Sequence, residues 1–203
     1  MNLFQMKSRP HGKERLPLFL TDGFVAIGWP GVGDLSQADA EEIETRLAKT
    51  YTSYVGQKMA YYKGVVNTFV NVMEPDDYVM VAEGDYVHIG VLGDYIYRAD
   101  YDNEEGMCHQ RPVDWVITVE RTKLNEKVQE HLRNRATVTK FKYPFQLAEL
   151  EQVLKVNTLS DTKQIKDPLV DKAWNIAEKE LDSEDPLIRI IAASVILQLR
   201  NNP

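Results

Sequence analysis

Six residues of the chain have side chains that could hold a flat, polar ligand. Tryptophan and tyrosine rings can stack on a nucleobase, and an arginine or histidine beside them can donate hydrogen bonds to the edge of that base. Each aromatic residue can equally be a core anchor or half of a cross-strand pair, and the arginine can equally form a salt bridge. The six candidates for a base-binding pocket are Trp29, Tyr95, Tyr97, His109, Arg111 and Trp115.

A glycine-rich stretch, AIGWPGVGDLS at residues 26–36, suggests a different chemistry, because glycine-rich turns before helices often hold phosphates. It lacks the lysine of a phosphate-binding loop and the GxGxxG spacing of a dinucleotide-binding turn. Asp34 would also repel a phosphate at that point. We therefore interpret its glycines as turn residues and Asp34 or Ser36 as the cap of a following helix.

Other site chemistries lack their motifs. The 4 histidines and the single cysteine show no metal-ligand spacing, so we predict no metal site. There is no GxSxG elbow, and Cys108 stands in no nucleophile motif. The sequence EKE at residues 178–180 is similar to part of a nuclease motif but falls in a predicted amphipathic helix. We predict no catalytic residue, no cofactor and no enzymatic activity.

The elements that position the candidates begin with a predicted hairpin. Two short apolar runs within residues 16–29 flank a Thr-Asp-Gly turn, and residues 1–15 before them are expected to be a loose arm. Ser36 is predicted to open a helix. A second helix is predicted from about Gln57, since apolar residues recur at helical spacing until a proline stops them.

The middle of the chain has the composition of strands, rich in β-branched and aromatic residues. Gly90 inside one of them predicts a bulge or a close backbone approach. Strands at this spacing, with helices beside them, predict an α+β fold with a small closed or nearly closed barrel. The predicted strands are residues 77–82, 85–92, 95–101, 111–120 and 136–141, with a short helix near 123–133.

No strand pattern appears after residue 143. We expect a barrel domain at residues 1–142 and an all-helical C-terminal extension at residues 143–203. The last predicted helix, 186–200, is apolar on nearly all sides and must therefore be buried. We expect it to pack deeply against the barrel or to form a two-fold dimer interface, and favour the dimer.

The composition limits the partners. The formal net charge of the 203 residues is -7, whereas a protein that follows duplex phosphates over a long surface is normally basic. A base or a short strand is the better ligand. The sequence has neither a signal-peptide pattern nor an apolar run of membrane-spanning length, so we expect a cytoplasmic protein with no membrane partner.

The order of several motifs resembles the PUA-like (EVE/ASCH-related) module at the front of many Mrr-type restriction endonucleases and related defence proteins. The resemblance implies a pseudo-barrel that recognises a nucleobase, often a modified one, between the barrel and its flanking helices. It also implies no catalysis by the module itself, which commonly works beside a nuclease or helicase; here helical residues replace the nuclease half. The matching motifs are IGW at 27–29, GDLS at 33–36, GDYxY at 93–97 and HxRPVxW at 109–115.

Two function hypotheses lead, with an enzyme acting on a small nucleotide a distant third. The first is a binding module for a nucleobase in DNA or RNA, in a defence- or nucleic-acid-related setting. The alternative is an interaction scaffold that binds no nucleic acid, with a homodimer through the C-terminal helices or a protein partner such as a nuclease. For the first, we expect Trp29, Tyr95 and Trp115 to approach one concave pocket with His109 and Arg111 at its rim.

Overall fold

The computed structural model describes residues 1–154, 176–183 and 185–201. The chain divides into two compact units, Met1–Leu154 and Lys155–Pro203. The first unit contains a mixed sheet with helices against both faces, and most of the described residues of the second are helical. The candidate residues all belong to the first unit.

Seven strands form the sheet, which curls into a half-barrel. The order is β2-β6-β4-β3-β1-β7, with the short β5 also pairing with β6. Only β1 and β3 run parallel; the other pairs are antiparallel. The predicted mixture of helices and a curved sheet is confirmed, whereas the predicted closed or nearly closed barrel is a half-barrel. The strands are β1 (Leu3–Met6), β2 (Phe24–Ile27), β3 (Tyr78–Glu83), β4 (Tyr86–Leu92), β5 (Ile96–Tyr97), β6 (His109–Glu120) and β7 (Val138–Lys140).

The loose arm predicted at residues 1–15 is wrong, because β1 lies inside the sheet between β3 and β7. All four of its residues are buried. The preceding Asn2 is held by Asp77, whose Oδ1 accepts the Asn2 backbone N–H at 2.6 Å. The sequence LFQM lacks the alternation of apolar and polar residues that marks a half-buried strand. Even Gln5 is fully buried, and its Nε2 donates to the carbonyl of Asn134 at 3.2 Å.

The predicted hairpin is also wrong in its first half. Residues Leu16–Asp22 form helix α1, and only Phe24–Ile27 forms a strand. Gly23 ends the helix in the left-handed conformation at φ 66°. A short apolar run such as LPLFL does not distinguish a buried strand from a buried helix by periodicity, and here Leu16 and Phe19 face the core at helical spacing.

Two further helices cover the larger core, α2 (Ala40–Thr50) and α3 (Gln57–Asn67). The start of α3 is as predicted, and a π-helical turn at Thr68–Val72 continues it. The start of α2 is not, because Asp39 rather than Ser36 is its cap. The Asp39 carboxylate accepts the backbone N–H groups of the first turn at 2.9 and 3.0 Å. A fourth helix, α4 (Glu126–His131), packs on the opposite face of the sheet.

The predicted bulge at Gly90 is confirmed. The pairing of β4 with β6 shifts register between Ile89 and Gly90, so that Gly90 opposes Trp115. A Cβ at Gly90 would lie 2.3 Å from the Cγ1 of Val113, which only glycine avoids. The bulge changes which face the side chains of β6 occupy. Val113 packs in the larger core, and Ile117 in the smaller core on the other face.

The second unit contains helix α5 (Pro186–Asn201) and a short helical stretch at residues 176–180. Asp185 caps α5, whose first residue is a proline, and its Oδ1 accepts the backbone N–H of Leu187 at 2.8 Å. Residues 155–175 of the predicted all-helical extension lie outside the described residues. Over the part of the chain that the structure describes, none of the helices combines the length and the apolarity needed to cross a bilayer.

Candidate functional site

The start of β6 is where three of the predicted candidates are in contact, since the rings of Tyr95 and Tyr97 both pack against His109. His109, the first residue of β6, pairs with Ile27 of β2 on one side and with Tyr97 of β5 on the other. Trp29 follows β2 by two residues, so the loop after β2 begins beside His109. Paired residues on neighbouring strands share a face of the sheet, and the antiparallel register therefore brings distant parts of the chain together.

His109 is fully buried and is held by Tyr95. The Tyr95 hydroxyl lies 2.7 Å from Nδ1 of His109 and accepts the backbone N–H of Leu35 at 3.3 Å. Since a backbone N–H can only donate, the single hydroxyl proton of Tyr95 is free to donate to Nδ1. The ring proton then resides on Nε2. Among residues 1–154 and the described parts of the second unit, no acceptor lies within hydrogen-bonding distance of Nε2.

Burial keeps the His109 ring neutral. It lowers the pKa of His109 to about 4, even though the nearby carboxylates of Asp102 and Asp34 act in the opposite direction. A neutral imidazole with an acceptor at Nδ1 presents one N–H donor and no charge. Such a group suits the edge of a neutral aromatic ligand better than a phosphate.

Asp102 links the two segments that flank His109. Its Oδ2 accepts the hydroxyl of Tyr97 at 2.5 Å, and its Oδ1 accepts the backbone N–H of Gly31 at 2.6 Å. The first bond lies in the β5–β6 connection and the second reaches the loop after β2. Burial, together with the Asp102 carboxylate, raises the pKa of Tyr97, which therefore keeps its proton. One carboxylate thus fixes both flanks of the site.

The backbone of Trp29 is strained. Its φ of 73° is left-handed, which is rare for a bulky side chain and tends to mark functional sites. Gly31 and Gly33 also have positive φ values, 82° and 76°, in agreement with their interpretation as turn residues. The Trp29 ring is half-buried and meets the ring of Tyr62 edge-on, with 5.6 Å between centroids.

A tyrosine cluster extends from Trp29 along the α2–α3 connection. Tyr54 stacks on Tyr51 at 4.8 Å and meets Tyr62 at 4.4 Å, while Tyr61 contacts Tyr62 edge-on. We call Trp29 and these four tyrosines the aromatic cluster. It is half-buried overall, and Tyr61 is 43% exposed. The sequence analysis selected Trp29 but not the four tyrosines, because tyrosines at helical spacing are typical of a helix face that packs on a core. The signal that could have found them is the presence of four tyrosines within residues 51–62.

Arg111 does not lie at the rim of a pocket. It is 2% exposed, and its guanidinium donates only to backbone carbonyls. Nε bonds to Phe69 at 2.8 Å, and Nη2 to Val70 and Met73 at 3.1 and 2.5 Å. Nη1 bonds to Gly93 at 2.8 Å. Arg111 therefore satisfies the carbonyls at the end of the π-helical turn instead of reading a base.

The structure also separates Trp115 from the other candidates. Trp115 lies six positions after His109 along β6, which corresponds to about 20 Å at the usual rise per residue of an extended strand. Its indole Nε1 donates to the carbonyl of Phe19 in α1 at 2.8 Å, and its ring meets His88 edge-on. Trp115 thus fixes α1 to the sheet, which is the core-anchor role. The expected convergence of Trp29, Tyr95 and Trp115 on one pocket is not what the structure shows.

The site contains no constellation for metal or nucleophilic chemistry. In the described ranges, no three His, Cys, Asp or Glu side chains are placed to hold a metal ion. Cys108, next to His109, is buried, and burial raises the pKa of its thiol to about 12. A thiol in that state is a poor nucleophile. The arrangement can bind a ligand through stacking and one hydrogen-bond donor.

The first unit is a mixed α/β domain with a group of aromatic side chains at one end of a half-barrel sheet. Residues 8–142 match the family model described as "Domain of unknown function (DUF8426)". This match covers more than half of the chain, which therefore belongs to that family. A comparison with curated proteins finds no significant match to the chain.

Proposed function

We propose that the unit Met1–Leu154 is a non-catalytic, PUA-like module that recognises a nucleobase, modified or unmodified, in DNA or RNA. The observation that carries this proposal is the unpaired Nε2–H of His109, a buried donor at the end of the sheet where aromatic rings gather. A nucleobase supplies both a flat face for the rings and acceptors for the donor. An aliphatic ligand supplies neither.

The aromatic cluster is the stacking surface of this proposal. Its rings are half-buried, so they are held in place while part of their surface stays open to a ligand. Stacking of one base on such a ring is typically worth about 1–3 kcal/mol and depends little on which base is stacked. The cluster therefore contributes affinity, and a polar group beside it must contribute selectivity.

The charges around the site favour a base at its inner end. Asp34 and Asp102 both act on His109, and carboxylates there disfavour a phosphate. The cations lie further out on α3. The Lys58 ammonium sits 4.8 Å from the centre of the Tyr54 ring, and Lys63 pairs with Glu44 at 2.5 Å. These two lysines near the stacking surface, in a protein of net charge -7, agree with a low affinity for nucleic acid that depends mainly on the pocket.

The motif resemblance supports the wider setting. A module without a nucleophile or metal ligands needs a partner to act on the nucleic acid it binds. We propose that this partner is a protein such as a nuclease, in a defence- or nucleic-acid-related system. The second unit, which follows the binding module, is the segment available to contact it.

Replacing Tyr54 with alanine tests the stacking surface. Tyr54→Ala should weaken binding of a short single-stranded oligonucleotide by about 1–3 kcal/mol, because one ring of the cluster is lost. The matched control is Tyr86→Ala, since Tyr86 is 51% exposed on β4 and contacts no cluster residue through its ring. Fluorescence anisotropy with labelled single-stranded DNA and RNA, modified and unmodified, at two salt concentrations measures the affinities.

The two variants separate the outcomes. Loss of affinity in Tyr54→Ala with Tyr86→Ala unchanged supports the stacking surface. Equal affinities in both variants and the unmodified chain would place the binding surface elsewhere, and no binding by any oligonucleotide would end the base-binding proposal.

A dimerisation or interaction scaffold is the second candidate, and helix α5 is the observation that favours it. Leu187, Ile190 and Ile191 are 68%, 66% and 62% exposed. A groove of about 360 Å³, lined by Ile176, Ile188, Val195 and their neighbours, lies beside them. Apolar side chains in such numbers on one helix are typical of an interaction surface.

A further inference from the structure

We propose that His109 is the specificity-determining residue of the site, and that its Nε2–H selects a base with a keto oxygen over a base with an amino group. This inference rests on the proposed base-binding function. Tyr95 is the positioning residue, because its hydroxyl holds the ring in the tautomer that carries the proton on Nε2.

The tautomer follows from counting donors and acceptors. With the proton on Nε2, the Tyr95 hydroxyl donates to Nδ1 at 2.7 Å and accepts from Leu35 at 3.3 Å, and only one group is left unpaired. With the proton on Nδ1, the Tyr95 proton would have no acceptor and Nε2 would have no donor. The first arrangement leaves one polar group unpaired and the second leaves two. Buried unpaired groups are costly, so the first is the populated one.

Nε2 of His109 is one of four buried side-chain atoms that have no hydrogen-bond partner among the described residues, and it is the one that belongs to a ring stacked on another aromatic ring. Most buried polar side-chain atoms in proteins have a partner, and an exception calls for an explanation such as a ligand. His109 is fully buried, and within the described residues its Nε2 has no acceptor. A leucine or methionine would fill the same core position without that cost. The arrangement is explained if an acceptor of the ligand completes the hydrogen bond.

An N–H donor sorts the bases by chemistry. Guanine, thymine, uracil and hypoxanthine carry keto oxygens that accept a hydrogen bond, whereas adenine and cytosine carry amino groups at the corresponding positions. An amino group facing Nε2–H would set donor against donor in a buried place. Sites built around a buried polar group reject ligands that leave it unpaired far more strongly than apolar pockets discriminate by size.

A base must reach a residue that has no exposed surface. The segments beside His109 are the loop after β2 and the β5–β6 connection, and Asp102 joins them through Gly31 and Tyr97. Residues 98–100, 103 and 104 of that connection are exposed. The base gains access when these two segments separate at Asp102, and the short loop movement needed is of the kind common in ligand sites.

The test uses isosteric pairs of bases and the full chain. Single-stranded oligonucleotides carry one test base flanked by abasic sites: hypoxanthine or adenine, uracil or cytosine. The unmodified protein should prefer the keto member of each pair by about tenfold, which corresponds to one buried hydrogen bond gained or lost. Tyr95→Phe should bring the ratio close to one, because the His109 tautomer is no longer fixed. Tyr78→Phe is the matched control, a half-buried tyrosine that stacks on Phe145 in the smaller core.

A second measurement reads the tautomer without any ligand. Nitrogen-15 NMR should show His109 with a protonated Nε2 and an unprotonated Nδ1 in the unmodified chain and in Tyr78→Phe, and altered nitrogen shifts in Tyr95→Phe. A proton on Nδ1 in the unmodified chain would overturn the inference. Binding with equal affinity for the two members of each pair, or a keto preference that survives in Tyr95→Phe, would also overturn it. Because oligonucleotides are bound in these two results, the proposed base-binding function would stand. Binding of none of the oligonucleotides would overturn both.

Discussion

His109 occupies a core position at the start of β6 where an apolar side chain would pack without polar atoms to satisfy. The hydroxyl of Tyr95 satisfies one ring nitrogen, and burial lowers the pKa of the ring to about 4. Both effects act through residues that the β5–β6 pairing brings together. The consequences of this residue can be measured in stability as well as in binding.

A pH dependence of stability follows from the His109 pKa. The unfolded chain has a histidine pKa of about 6.5 and the folded chain of about 4, so below pH 6.5 the unfolded state binds the proton more readily. The free energy of unfolding should therefore fall as the pH drops from about 6.5 to 4, by at most about 3 kcal/mol, and level off below. Urea unfolding across this range measures it.

The variant His109→Gln isolates this contribution, because buried His131 also has a lowered pKa and adds a slope of the same sign. The difference in the free energy of unfolding between the unmodified chain and His109→Gln should not depend on pH above about 6.5. If the two proteins show parallel pH profiles between 4 and 6.5, His109 is not buried and neutral as described.

At the level of elements, the sequence predicted regular patterns well and irregular ones poorly. Strands β3, β4 and β6 and helix α3 were predicted close to their observed bounds, because β-branched and aromatic residues or helical spacing mark them. The strand predicted at residues 95–101 is wrong in its second half: only Ile96–Tyr97 is a strand, and Ala99–Tyr101 forms a 3-10 helical turn. Strand β1 and helix α1 were not predicted, because LFQM and LPLFL are runs too short for their periodicity to separate a strand from a helix. The structures of β1 and α1 depend on how they pack against the rest of the domain, which a single sequence does not reveal.

The site was predictable to the same extent. Trp29, Tyr95, Tyr97 and His109 follow recognisable glycine turns at strand ends, and the structure gathers them at one end of the sheet. The fate of Arg111 depended on carbonyls of the π-helical turn about 40 positions earlier in the chain, which spacing could not reveal. Trp115 is separated from His109 by about half the length of β6.

The cap of α2 gives a prediction at the element scale. Asp39→Ala should lower the free energy of unfolding by about 0.5–2 kcal/mol, because two N–H groups of the first turn lose their acceptor. Ser36→Ala should change the free energy of unfolding by no more than a few tenths of a kcal/mol, since Ser36 is exposed and lies before the helix. Chemical denaturation measures both variants. A larger loss in Ser36→Ala than in Asp39→Ala would restore Ser36 as the cap.

At the scale of the whole molecule, the first unit carries the proposed site and the second an exposed apolar helix. We expect the exposed residues of α5 to mediate self-association through the second unit. Light scattering of the full chain should then give the mass of a dimer, and Ile190→Asp should shift it towards the monomer, because a charge would be placed on the apolar surface. Glu178→Lys, a charge reversal on the helical stretch at 176–180, is the control.

A monomer mass for the unmodified chain at all concentrations would show that α5 serves a different partner or none. Binding of oligonucleotides by the first unit does not depend on this outcome, since its site lies within Met1–Leu154.

Base recognition by the first unit is most directly tested by an NMR titration of the nitrogen-15-labelled full chain with single-stranded oligonucleotides that carry keto, amino and modified bases. We predict saturable shifts at the indole of Trp29 and at the backbone of Gly31, Tyr54 and His109, with the indole of Trp115 unchanged. An unchanged spectrum with every oligonucleotide, or shifts confined to the second unit, would contradict nucleobase recognition at this site.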